Sequence, residues 1–241
     1  MHEKVDGVEI GKHPTITRLL KGAFHERPPL PRYVSTWDVN IVLQYLKGLG
    51  PSSDLSLKQL TYKLVMLLAL TRPSRSADLS SLSLARRRFS PEGVTFLPAT
   101  LAKQSRQGKP LVEFFFPSFS HDEGLCPVQT LRQYESVTFP LRLGVQQELF
   151  LAIVKPHKPV SSCTIARWLK CVLNDAGIDV NMFTAHSVRG ASSSAAAMAG
   201  VTTNDILKAA DWSTDSVFRR FYYRPVHSSS FGDAVLSSGC S

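Results

Sequence analysis

His186 and Arg189 stand three residues apart, and Trp212 and Tyr222 follow them in order toward the C-terminus. Together with Arg75, far upstream, they could hold a phosphodiester and attack it. Arginine offers a permanently charged planar fork that matches phosphate oxygens. An imidazole and an indole N–H add donors, and a tyrosine hydroxyl can form a covalent intermediate. On a helix, His186 and Arg189 share one face and can reach a single ligand. Taken singly, each has an ordinary reading: a solvated histidine and arginine near a helix start, or Arg75 paired with Asp78 three residues on. The order of the whole set is what points to chemistry.

The elements that must position these residues are mostly helical. Arg27-Pro-Pro-Leu-Pro-Arg32 forbids regular structure and reads as an extended connector after one short helix within residues 12–22. Thr36 is the expected cap of a helix with Val39, Val42, Leu43 and Leu46 on one face, stopped by Gly48 and Gly50-Pro51. Residues 57–70 are apolar on most sides and predict a central helix, and Pro73 breaks it just before Arg75. Two β-rich runs, 93–97 and 110–116, flank a polar stretch whose Gln107-Gly108 suits a turn. Further helices are expected over 127–134, 164–176 capped by Ser162, 184–199 capped by Thr184, and 204–210. Ser213 or Thr214 can cap a last short helix carrying Val217, Phe218, Phe221 and Tyr222. The fold class is therefore α+β, mainly α, with a small antiparallel sheet.

Composition is that of a globular protein, with 43% hydrophobic and 20% charged residues among 241. The longest apolar run, Leu64 to Leu70, is too short for a membrane span, so no membrane partner is expected. The first residues lack a signal-peptide core. An excess of 28 Lys+Arg over 19 Asp+Glu gives +9 and favours an anionic partner, with nucleic acid first. Cysteines at 126, 163, 171 and 240 form no CxxC pair and have no histidine at ligand spacing, so neither structural zinc nor a disulfide framework is expected. Cys163 and Cys171 read as small core fillers.

Three stretches carry a resemblance. Leu67-Leu-Ala-Leu-Thr-Arg-Pro-Ser-Arg-Ser-Ala-Asp-Leu-Ser-Ser-Leu82 resembles the first arginine box of tyrosine recombinases, in which an apolar helix leads through a turn to an arginine, then an acid followed by leucine. Phe183-Thr-Ala-His-Ser-Val-Arg189 resembles their second box. Ala209-Ala-Asp-Trp-Ser-Thr-Asp-Ser-Val-Phe-Arg-Arg-Phe-Tyr222 resembles the third, with tryptophan in a slot that holds histidine or tryptophan. Lys21-Gly22, Arg27-Pro-Pro29, Trp37-Asp38-Val39 and Phe221-Tyr-Tyr-Arg-Pro225 resemble the integrase-like recombinases of DIRS-type retrotransposons, the Ngaro group included, and of Crypton elements. The likeness runs from about residue 12 to 226.

The resemblance implies the catalytic-domain fold of tyrosine recombinases and a role for each matched residue. Arg75 and Arg189 would clamp the phosphate, His186 would donate or exchange a proton, and Trp212 would donate its indole N–H. Asp78 would support the site by orienting His186 or an arginine. A hairpin lysine, Lys103 or alternatively Lys109, would protonate the leaving 5′ oxygen. Tyr222 follows Phe221 as the family nucleophile does and shares a face with Phe218, with Tyr223 the alternative. The reaction would be transesterification through a 3′-phosphotyrosine, with no metal and no cofactor because arginines carry the charge. Arg86, Arg87, Arg88, Arg106, Lys109, Arg219 and Arg220 would hold the DNA backbone.

The expected organisation is an extension or linker over 1–35, a catalytic domain over 36–226 and a flexible tail over 227–241. Double-stranded DNA, a homo-oligomer (a tetramer) on that DNA, and a nuclear location, or the nucleoid in a prokaryote, follow from the resemblance. Family members usually carry a helical core-binding domain ahead of the catalytic one, so a truncated or domesticated copy that binds DNA without recombining it is the alternative expectation.

Overall fold

Asp6 and Gly7 both take positive φ, 49° and 78°, and close a two-residue turn between β1 (Lys4–Val5) and β2 (Val8–Glu9). Asp-Gly is the favoured pair for such a turn, a signal within the stretch expected to be an extension or linker. The computed structural model describes residues 4–27, 35–97, 113–144, 146–212, 215, 218, 219, 222 and 223. The chain divides into two compact units, Met1–Val34 and Ser35–Ser241. In the first, Pro14 opens α1 (Pro14–Glu26), which buries no residue and leaves Leu19, Leu20 and Phe24 exposed.

In the second unit, Asp38 rather than Thr36 caps α2 (Val39–Gly48), accepting from the Asn40 amide at 2.9 Å. Thr36 is buried instead. Ser56 and Gln59 form a reciprocal capping box at the start of α3 (Leu57–Thr71). This helix is central. Leu60, Leu64, Val65, Met66, Leu67 and Leu68 are buried, and it packs against α5 (Pro127–Thr138), α6 (Ser162–Asp175) and α7 (Ser187–Met198). Truncating one of these leucines to alanine would cost about 2–5 kcal/mol. Arg72 is extended, Pro73 follows, and α4 (Ser76–Ser80) starts with Arg75 as its N-cap residue.

The sheet has three antiparallel strands in the order β3 (Arg87–Ser90), β4 (Gly93–Phe96), β5 (Phe114–Pro117). Phe89 pairs with Val94, and Phe96 with Phe114. Sequence reading missed β3, because Phe89 is its one apolar residue and two arginines precede it. The polar stretch between β4 and β5 lies outside the described residues. At 148–151, Leu149, Phe150 and Leu151 are buried, and isolated bridges join Ser83 to Glu148 and Leu151 to Pro159.

Helix starts differ from expectation by a few residues. Ser161, not Ser162, caps α6. Thr184 does not cap α7: its carbonyl accepts from the Ser187 amide and hydroxyl, so the helix proper begins at Ser187. Thr202 caps α8 (Thr203–Ala210) through the Asp205 amide. Cys163 is exposed, so it is no core filler, whereas Cys126 is buried and its sulfur accepts from the Phe119 amide. The architecture is mainly helical with small antiparallel sheets, as the hydrophobic periodicity predicts. Among the described residues no helix is long and apolar enough to cross a membrane.

Candidate active site

The site is assembled where α7, α8 and the segment bearing Tyr222 meet. The face of α7 that carries Arg189 continues through small residues, and these let another backbone approach. Ser194 Oγ donates to the Tyr222 carbonyl at 2.9 Å, and a Cβ added at Gly190 would lie 3.5 Å from that same oxygen. Trp37 braces the first turn of α7 from the far side, its indole N–H donating to Ser187 Oγ at 3.0 Å.

A left-handed turn ends α8. Asp211 adopts φ 51°, ψ 51°, its amide bonds to Lys208 O, and the Trp212 amide reaches back to Leu207 O. This is the paired bonding of a Schellman ending, with aspartate where glycine is usual. The left-handed region costs an L-residue roughly 1–2 kcal/mol, and such outliers persist where surrounding structure over-determines them. The turn throws Trp212 back onto Ile206, Ala210 and Phe218, which form one buried cluster.

Four rings and a guanidinium then stack. Trp212 lies 4.3 Å from Tyr222 at an interplanar angle of 25° and 5.6 Å from Phe218, while His186 is 5.6 Å from Tyr222. The Arg189 guanidinium sits 4.7 Å from the Trp212 ring and 5.4 Å from the Tyr222 ring. Arg189 is 1% exposed, although arginine is almost never fully buried unless paired. Here its Nη2 donates to the Ala210 carbonyl, and its Nε and Nη1 have no hydrogen-bond partner among the described residues. The buried indole Nε1 of Trp212 is likewise unpartnered among the described residues. Burial pushes the Arg189 pKa down to about 10, and Arg75 pushes the same way, while Tyr222 and Asp78 oppose the shift.

Unsatisfied buried donors cost about 1–3 kcal/mol each, more when charged. A phosphodiester's oxygens would satisfy all three. All three atoms are buried.

The other expected residues fall as follows. Arg75 is half-buried at the head of α4, and its amide donates to Asp78 Oδ2 at 2.8 Å. Asp78 thus fixes the turn that presents Arg75. His186 immediately precedes α7 and is exposed. Tyr223 turns away from Arg189: its ring packs 5.6 Å from Phe218 and is 43% exposed. Arg86 and Arg88 are exposed, with Arg88 3.7 Å from Glu113. Arg219 is exposed and pairs with Asp215 at 2.6 Å. Arg87 departs from the expected DNA-holding set, because its guanidinium is tied to Glu135 Oε2 at 2.8 Å and to Leu84 O. Lys103, Arg106, Lys109 and Arg220 lie outside the described residues.

One buried arginine was not foreseen. Arg72 is 5% exposed, with its guanidinium 4.2 Å from the Phe114 ring centroid and Nη1 3.4 Å from Ser74 Oγ. In the sequence it looked like the end of an apolar helix, and nothing there marks it as buried.

No protein-family model matches the chain, and no curated protein does. Solved structures do. XerH site-specific recombinase bound to its difH substrate before cleavage matches with a TM-score of 0.60 at 12% identity, over 97% of this chain and 66% of that one. XerH in a post-cleavage complex with palindromic difH matches at 0.58 and 14% identity, over 86% of this chain and 53% of that one. XerA recombinase matches at 0.57 and 14% identity, over 94% and 73%. This chain thus spans little more than half of the post-cleavage XerH chain. At these identities the likeness is one of fold, and the chain has the fold of the tyrosine-recombinase catalytic domain.

Proposed function

We propose that this chain cleaves and rejoins DNA as the catalytic part of a site-specific tyrosine recombinase. One observation carries the reading: a fully buried arginine, Arg189, keeps two nitrogen donors without a partner among the described residues, beside the likewise unpartnered indole N–H of Trp212 and the ring of Tyr222. A buried charge without a carboxylate costs stability, and a site that accepts a phosphodiester accounts for that cost. The similarity to XerH complexes with DNA before and after cleavage supports the same reading.

In this reading the Tyr222 hydroxyl attacks the scissile phosphorus as its proton passes to His186 beside it, the P–O5′ bond breaks, and the 5′ oxygen leaves with a proton supplied by Lys103. The product is a 3′-phosphotyrosine and a free 5′ hydroxyl. A second strand's 5′ hydroxyl reverses the step, so one phosphodiester is exchanged for another and no energy source is needed. Arg75, Arg189, His186 and Trp212 meet the charge that grows on the nonbridging oxygens, the term that dominates phosphoryl transfer. Double-stranded DNA, assembly of several protomers on it, a nuclear location and an origin in a DIRS-, Ngaro- or Crypton-like mobile element complete the proposal. They rest on the three boxes and the flanking phrases of the sequence.

The test is covalent capture. The protein is incubated with a pool of nicked duplexes randomised around the nick, and DNA that stays attached in a denaturing gel is recovered and sequenced. Wild type and Tyr223→Phe are expected to capture DNA, and Tyr222→Phe to capture none. Capture by Tyr222→Phe would assign the nucleophile elsewhere, and no capture by wild type would remove the enzymatic reading.

A further inference from the structure

Trp37-Asp38-Val39 is a phrase of the sequence that the proposed chemistry leaves unused. Its second and third residues have local duties: Asp38 caps α2 and Val39 opens it. Trp37 reaches further. It is 5% exposed, and its indole N–H donates across 150 residues of sequence to Ser187 Oγ at 3.0 Å. Ser187 is 4% exposed, and the single proton of its hydroxyl goes to the Thr184 carbonyl at 2.7 Å. The Ser187 amide donates to that same carbonyl at 2.8 Å. Indole, hydroxyl and carbonyl thus form one directed chain of hydrogen bonds.

That chain closes the turn in which Ala185 and His186 lie between Thr184 and Ser187. His186 takes φ −66°, ψ −27° there, and its ring is 5.6 Å from that of Tyr222. A helix start is a poor base from which to aim a side chain, because its first amides have no partners within the helix and its end frays. The bonds from Ser187 to Thr184 are local to the turn, whereas the indole ties it to the residue beside the cap of α2, a separate element. Phenylalanine would fill the same space with no polar atom to satisfy. A buried indole needs an acceptor, and here the acceptor belongs to the turn that bears His186. Arg189 is anchored separately, on the Ala210 carbonyl.

We infer that Trp37 is a positioning residue for His186: through Ser187 it closes the 184–187 turn and sets the imidazole beside Tyr222, where the proton of the attacking hydroxyl goes. The inference rests on the recombinase reading above. Trp37 lies outside the three boxes, which assign it no role.

The experiment uses a duplex captured by the wild type and follows single-turnover cleavage against DNA concentration. Full-length wild type, Trp37→Phe and Ser187→Ala are compared, each also in a His186→Ala background, with thermal unfolding to establish that every variant is folded at the assay temperature. Loss of the histidine is expected to slow the maximal rate by about 10²–10⁴-fold, as loss of a general base does. Misplacing it costs less, so Trp37→Phe and Ser187→Ala are each expected to slow the maximal rate about 10- to 100-fold, with the half-saturating DNA concentration within about twofold of wild type. In the His186→Ala background either substitution is expected to cost less than about twofold, because residues that act through one group are not additive. Ser187→Ala keeps the test alive should Trp37→Phe fail to fold. Equal losses in the two backgrounds, a change confined to the half-saturating concentration, or no loss at all would overturn the inference while leaving the recombinase reading intact. If wild type captures no duplex, the reading itself falls and the inference with it.

Discussion

Arg87 and Arg189 are both drawn into the protein, and they differ in what meets them there. Arg87 reaches from β3 to α5, where Glu135 gives it a carboxylate at 2.8 Å and Leu84 a carbonyl. Arg189 is more deeply buried and, among the described residues, forms no ion pair and bonds only the Ala210 carbonyl. A guanidinium with its own carboxylate joins two elements of the fold. One left with open donors in a dry site is prepared for an anion that comes from outside. On the recombinase reading the first kind is a structural tie and the second a binding device, although both are simply arginines in the sequence.

Exchanging each arginine for methionine should separate these roles most widely in catalysis. Arg189→Met is expected to slow covalent capture of DNA by about 10²–10³-fold, as loss of a transition-state donor does. Arg87→Met should leave capture within about threefold of wild type, because its guanidinium is committed to Glu135. Equal losses in the two variants, measured as single-turnover rates, would dissolve the contrast.

Stability should run the other way. Arg87→Met leaves Glu135 partly buried with its partner gone, and a loss of about 1–3 kcal/mol is expected. Arg189→Met removes a desolvated, unpaired charge and should be no less stable than wild type, with a gain of up to about 1–4 kcal/mol. The sign follows from linkage. The folded-state pKa of about 10 lies below the ordinary arginine value, so the folded chain holds this proton less tightly than the unfolded one. The penalty is in force below pH 10 and lifts as pH climbs past it, so the gap between variant and wild type should narrow there. Urea unfolding at pH 7 and pH 10.5 reads both signs, and a destabilised Arg189→Met would show that its contacts with Trp212 and Tyr222 outweigh its desolvation.

The smallest effect is the most direct probe of the open donors. An oxyanion that fills the site adds stability as RT ln(1 + [L]/Kd), about 2.7 kcal/mol at a hundredfold excess over Kd and a few tenths near Kd. Inorganic sulfate is expected to raise the Tm of wild type by a few degrees more than that of Arg189→Met, with chloride at matched ionic strength as the control. Equal shifts would mean that sulfate acts by general exclusion and leaves Arg189 untouched.

Residues with a chemical signature were the ones readable in the sequence. Arg75, His186, Arg189, Trp212 and Tyr222 stood out because each type does something particular and the order repeats a known pattern, and the structure brings Arg189, Trp212, Tyr222 and His186 into one stack. The burial of Arg72 was invisible because it depends on Phe114, about forty residues away on β5. β3 was missed for a related reason, since its pairing with β4 settles a segment whose own alternation is too weak. Helix limits slipped at Thr36, Ser162 and Thr184 because several neighbouring side chains could cap, and the tertiary path of the entering chain chose among them.

The bond from Ser194 to the Tyr222 carbonyl has a consequence in time rather than in space. It holds the main chain of the tyrosine, while the ring is stacked 4.3 Å from Trp212 and 5.6 Å from His186. On the recombinase reading, presenting the hydroxyl breaks that stack, a slower event than the picosecond-to-nanosecond rotamer change of an exposed side chain. Delivery of the nucleophile, as well as arrival of DNA, would then set the pace.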